Sequence, residues 1–193
     1  MTRLMTKTLL AAVLAGAAPA ARAHIIDFCA RLDGSQVVDP TGSPATGACS
    51  VKYNHHSFTI EVHLYLEGIG LDDLKGDGPN DTSIHIHSAP YGVNGPIAID
   101  LGWWGVTTLE EYQPGRIYAH WQGVFISGEQ GGVYSDFLET ETALYDGNLY
   151  VDVHTNAYPD GEIRGQIVEV PAPGAMVMMG VAGLVATRRR RAR

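Results

Sequence analysis

Positive charge is scarce over most of this chain. Between residues 24 and 170 only Arg31, Lys52, Lys75, Arg116 and Arg164 are fixed cations, while all 21 acidic residues lie there, so this stretch carries −16 against −8 for the whole 193-residue chain. Such a surface repels phosphate backbones and anionic lipid, which excludes nucleic-acid binding and favours cations. Cysteine is limited to Cys29 and Cys49, without the close Cys-x-x-Cys spacing of a thiolate metal site. No nucleophile elbow, phosphate loop or paired-carboxylate signature occurs. Ser57, Ser83 and Ser88 lie near histidines along the chain, but such proximity is not a triad. Nothing here supports catalysis, and the chain is not expected to be an enzyme. Repeats and low-complexity tracts are missing too, and the length between the two ends fits one domain, residues 24–169.

The two ends read differently from the middle. Arg3 and Lys7 precede a short apolar run, "TLLAAVLAGAA" at 8–18, and "ARA" at 21–23 offers small residues where a signal peptidase reads. This is the pattern of a secretory signal peptide over residues 1–23, too short for a membrane span. Cleavage after Ala23 leaves His24 first; cleavage after Ala20 competes. In an exported chain an even, isolated cysteine pair reads first as a disulfide. Closing a loop of about 20 residues stabilises by roughly 3 kcal/mol in the chain-entropy picture. Cys29 and Cys49 are therefore expected to be bonded.

At the other end, "VPAPGAMVMMGVAGLVATRRRRAR" (170–193) runs from a Pro171-x-Pro173 step through an apolar stretch, 174–186, to five arginines, among them Arg188, Arg189, Arg190 and Arg191. A hydrophobic helix is expected there, short for a permanent anchor of about 20 residues, with the basic end held on the cytoplasmic side. These three parts in this order resemble a PEP-CTERM sorting signal, with Ala172 where the commonest form has Glu. The resemblance implies processing by an exosortase-type enzyme, transient membrane anchoring through the C-terminal segment, and a periplasmic, cell-surface or extracellular destination.

Between the ends the hydropathy pattern is β. "SFTIEVHLYLEG" (57–68) alternates, with Phe58, Ile60, Val62, Leu64 and Leu66 on one face and Thr59, Glu61, His63, Tyr65 and Glu67 on the other. "NLYVDVHT" (148–155) repeats this, with Leu149, Val151 and Val153 inward and Tyr150, Asp152 and His154 opposite. Further strands are predicted at 49–53, 82–87, 96–101, 116–126 and 161–169, separated by turns such as "DPTGSPATG", "YGVNGP" and "YPDG". Only "TTLEEY" (107–112) suggests a helical turn. Short strands with one wet face each predict an all-β, antiparallel sandwich, immunoglobulin-like or superoxide-dismutase-like in its Greek key.

"FCARLDGSQVVDPTGSPATGACSVKY", "IHIHSAPYGVNGPIAIDL" and "GNLYVDVHTNAYPDGEIRGQI" together resemble the CHRD (chordin) domain over about residues 28–168. Asp152 stands where that family usually has Asn, and 102–143 follows no pattern of the family. The resemblance implies a β-sandwich module of exported proteins, with no catalytic residues to carry over.

His85 and His87, two apart on a strand, share a face. Neutral imidazoles bind Zn²⁺ or Cu²⁺, usually three or four together. His154 is the natural third ligand, and His120 or His63 a fourth. The alternative is structural: histidines bonded to backbone and carboxylates, with Glu162 and Arg164 in a polar network beside His154. Asp72, Asp73, Asp77, Asn80 and Asp81 offer oxygen ligands for Ca²⁺ without the regular EF-hand spacing, and a mature His24 offers a copper brace. Three functions stay open: an exported binding or structural module for a surface or matrix partner, a Zn/Cu-binding or metal-dependent redox protein, and a Ca²⁺-responsive adhesion module.

Overall fold

The computed structural model describes residues 25–76, 83–101, 105–126, 133–134 and 136–171. The expected signal peptide, His24, the calcium candidates Asp77, Asn80 and Asp81, and the tail with Pro173 and Arg188 to Arg191 lie outside them. Pro171 is described and exposed. Among the described residues no helix is long and apolar enough to cross a membrane.

Alternation dictates where the strands form. The described strands are β1 (Ile25–Asp33), β2 (Thr46–Asn54), β3 (Thr59–Glu67), β4 (Ile84–Ser88), β5 (Ile97–Ile99), β6 (Thr108–Gln113), β7 (Arg116–Phe125), β8 (Leu149–Val153), β9 (Ile163–Gln166) and β10 (Val168–Glu169). In β3, Ile60, Val62, Leu64 and Leu66 are buried as the pattern requires. A one-residue slip would expose all four, a loss of roughly 6–12 kcal/mol at about 1.5–3 kcal/mol per side chain. That loss holds β3 in register with β2 and β7. Phe58 departs from the pattern: it precedes β3 at φ 53° and stacks on Phe137 at 5.0 Å.

The expected pair of stacked sheets is not what forms. One antiparallel sheet runs β5-β4-β8-β9-β1-β2-β3-β7-β6, with β10 also on β1, and it curls so that its inner face makes a single core of residues such as Phe28, Leu64, Ile86, Trp121 and Val151. The continuity comes from the last strands. β9 and β10 keep the same register against β1, Asp33 opposite Arg164 and Cys29 opposite Val168. Between them Ile167 turns its N–H to the Leu149 carbonyl, 2.9 Å away. This interrupted strand joins β8 to β1, so hydrogen bonds cross from one half of the molecule to the other. The strand order is that of one curled antiparallel sheet.

Two local expectations also change. Residues 108–113 are β6, not a helical turn; as an edge strand exposed nearly throughout, it has no buried face to print an alternation. The helix is instead α1 (Phe137–Tyr145), started by Asp136, whose carboxylate accepts the Glu139 N–H at 2.9 Å. It buries Thr140, Ala143 and Leu144, and Tyr145 packs on Phe28 at 5.7 Å.

The expected disulfide is absent. Cys29 lies opposite Ser50 and Cys49 opposite Ala30. That offset of one residue sends the two side chains to opposite faces of the sheet. Both thiols are free, Cys29 exposed and Cys49 buried. Burial pushes the Cys49 thiol up to about 12, with the neighbouring Cys29 adding to it.

Candidate metal centre

β4 and β8 build the site. His85 faces Asp152 across the pair and His87 faces Tyr150, and His154 follows β8 directly, its N–H bonded to the Ser83 carbonyl at 2.7 Å. Period two then puts His85, His87, Tyr150, Asp152 and His154 on the sheet face turned away from the core. The sequence pattern makes that face wet. In the structure all of β8 is buried, because residues 89–96 and 156–161 fold over it.

The covering loops set the imidazoles. His87 Nδ1 bonds the Gly95 carbonyl at 2.9 Å and His154 Nδ1 bonds the Pro159 carbonyl at 3.1 Å. A carbonyl only accepts, so each Nδ1 carries the proton and each Nε2 carries the lone pair. Both Nε2 atoms are buried without a hydrogen-bond partner among the described residues. The ring centroids of His85 lie 5.7 Å from His87 and 5.3 Å from His154. One ring nitrogen from each of the three histidines lies within 4.8 Å of the others. Burial pushes His87 down to about 4, with His85 and His154 adding to it. Burial lowers His154 as well, and proximity to His85 lowers it further. Neutral imidazole, the ligand form, is thus the resting state of His87 and His154. The histidines line a cavity of about 200 Å³ with Lys75, Ser83, Ile97 and Pro159.

A buried arginine straps the first loop. Arg164 lies 3.4 Å over the Tyr150 ring. It donates to the carbonyls of Val93 (2.8 Å) and Pro90 (3.2 Å) and to Asn94 Oδ1 and Gln166 Oε1 (both 3.3 Å). Gln166 in turn donates to the Ala89 and Gly147 carbonyls at 2.9 and 2.7 Å. Tyr150 accepts the Gly95 N–H at 3.1 Å and stacks on His87. A Cβ on Gly95 would collide with the Ser88 carbonyl, so only glycine lets the Gly95 carbonyl reach His87. Arg164 therefore organises the loop rather than sitting in a network around His154. Glu162 likewise works elsewhere, accepting from Thr155 and Ser43, each at 2.6 Å.

Asp152 is 5 % exposed, and its Oδ1 has no hydrogen-bond partner among the described residues. Burial pushes its carboxyl up to about 7, against the pull of Arg164. Gly161, at φ 120°, leaves no room for a side chain beside it: a Cβ there would stand 2.6 Å from Asp152 Oδ1.

His120 and His63 do not join the three. They face each other on β7 and β3, with three strands, β9, β1 and β2, between that pair and β8 in the sheet order, and gather around Glu61 instead. Alternation already places Glu61 and His63 on one face; the pairing that brings His120 is long-range and invisible in sequence. For calcium, Asp72 and Asp73 form a single 3₁₀ turn with Leu71, and Asp73 is engaged by the Gly70 N–H at 2.8 Å. Among the described residues the clusters of metal-ligating side chains are these two alone. Lys75, Gly95 and Pro159 belong to the first site without any signal in their local sequence.

A family model described as the CHRD domain matches residues 28–167. No curated protein and no solved structure matches the chain.

Proposed function

The chain belongs to the CHRD-domain family, and from that premise we propose that it is an exported module that binds a transition-metal ion through His85, His87 and His154. The observation that carries this is the cluster of one ring nitrogen from each of the three histidines within 4.8 Å, in which His87 and His154 keep buried Nε2 atoms without a hydrogen-bond partner among the described residues while each Nδ1 is held by a backbone carbonyl. A buried polar atom without a partner costs about 1–3 kcal/mol; a ligand ion removes that cost. Backbone carbonyls on the far ring nitrogens are also how proteins orient histidine ligands. The three imidazoles suit Zn²⁺ or Cu²⁺ and leave a position of the ion open to the cavity. A bound ion there supplies a Lewis acid. Lys75, whose ammonium donates to the Pro159 carbonyl at 3.2 Å, brings positive charge to the same cavity and favours a small anionic ligand in it.

This is binding rather than turnover, in keeping with the absence of a nucleophile signature in the sequence. Export and display rest on the pattern of residues 1–23 and on Pro171, Pro173 and Arg188 to Arg191 as a sorting signal for an exosortase-type enzyme. Metal content of the purified full-length chain, measured by mass spectrometry beside His85→Ala/His87→Ala, tests the centre. The variant loses one equivalent of zinc or copper. Equal metal in both, at equal folding, would overturn the centre and leave a module that binds a surface or matrix partner by its loops.

A further inference from the structure

The outer face of the β3–β7 pair carries a second constellation. His63 and His120 are directly opposite each other, their rings stacked at 4.4 Å and only 10° from parallel. The Nε2 atoms of both point at the same carboxylate oxygen, Glu61 Oε1, each at 3.2 Å. The three side chains are partly exposed, at 30 % for Glu61, 24 % for His63 and 15 % for His120.

We propose that Glu61, His63 and His120 form a second divalent-metal site, for Zn²⁺ or an ion of like preference, independent of the first. Spacing is the main argument. Two ligand atoms each 2.0–2.1 Å from a tetrahedral zinc lie about 3.3 Å apart, and both Nε2···Oε1 separations already match. An ion would replace the imidazole protons that now point at the carboxylate. The surroundings suit that exchange. Lys52 Nζ lies 3.8 Å from Glu61 Oε2, so the lysine holds one carboxylate oxygen while Oε1 is the one turned to the two imidazoles. The Tyr118 hydroxyl, 2.9 Å from His63 Nδ1, can accept a hydrogen bond from the Nδ1–H, the tautomer that puts the His63 lone pair on Nε2 when an ion takes the place of the proton there. The strands are paired whether or not metal is present, so the site is preformed, and its exposed side admits water or a ligand from a partner.

Zinc chloride titrated into the metal-free, full-length chain and followed by isothermal calorimetry tests this. Two equivalents are expected in the parent. His63→Ala/His120→Ala retains one, His85→Ala/His87→Ala retains the other, and Glu61→Gln weakens the second site at least tenfold. Because Glu61 is partly exposed and glutamine keeps its shape, the Glu61 variant reports on binding even where the double variant loosens the β3–β7 pair. A single equivalent in the parent that disappears with His85 and His87 would overturn the second site and leave the first intact. Unchanged zinc binding in Glu61→Gln would overturn it equally. Loss of only the equivalent that His85 and His87 do not control would support it.

Discussion

Asp152 is where burial and charge conflict most openly. It faces Arg164 on one side and His85 on the other, yet desolvation outweighs the arginine and lifts its carboxyl to about 7. A group whose folded pKa lies above its unfolded value, here 3.8, costs nothing below about pH 4, where both states are protonated. The cost grows as pH rises towards 7 and then levels off, reaching on the order of a few kcal/mol by linkage. Asp152→Asn removes the titration without changing shape. Its urea midpoint is expected to match the parent at pH 4 and exceed it at pH 7.5, and parallel pH profiles would refute this. The cysteines give a second test at the same scale. Cys29 is exposed, while Cys49 is buried with its thiol held neutral. A thiol reagent should label one cysteine per native chain and two in denaturant, with no prior reduction.

Among the elements, the 89–96 loop decides whether the first site is a site. β4 and β8 bring three imidazoles together, but the Gly95 carbonyl and the Arg164 strap fix the His87 ring. Gly95→Ala must move that carbonyl away from Ser88. Zinc affinity at the first site is expected to fall roughly 10- to 100-fold, the range for lost orienting partners, while the Glu61 site is unaffected. Equal loss at both sites would show general unfolding instead. The elements also show what was legible. β3 and β8 declare themselves because one face is core. β6 does not, since its Leu109, Glu110 and Glu111 are exposed and are as common in helices. α1 was hidden because its buried side is only Thr140, Ala143 and Leu144, too small a stripe to print a helical period.

At the scale of the whole molecule, binding is read as stability. Metal binding to the folded chain alone stabilises it by about 2.7 kcal/mol at a hundred times the dissociation constant. For a domain of this size that is a rise in Tm of about 5–11 °C. Thermal scans with and without zinc should show it in the parent and show less in His85→Ala/His87→Ala; no shift in the parent would argue against any folded-state site. The tail is testable separately. The Val170 N–H bonds the Asp27 carbonyl at 2.8 Å, so deleting 172–193 spares β10. The shortened chain is expected folded and released to the medium, and unchanged localisation and processing would defeat the sorting proposal.

The sequence by itself determined the family, the β class, the placement of the alternating strands, and the shared face of His85 and His87. All of these follow from period-two geometry and from motifs contiguous along the chain. Tertiary structure decided the rest, because it depends on which strands pair and in what register. Pairing offset Cys29 from Cys49 by one residue and so kept them apart. It sent His120 to Glu61 rather than to His85, and it joined the two halves into one sheet through Ile167. Loop closure then buried a face that reads as wet. No local pattern records those contacts, since they are made by residues far apart in the chain and selected by the burial of the common core.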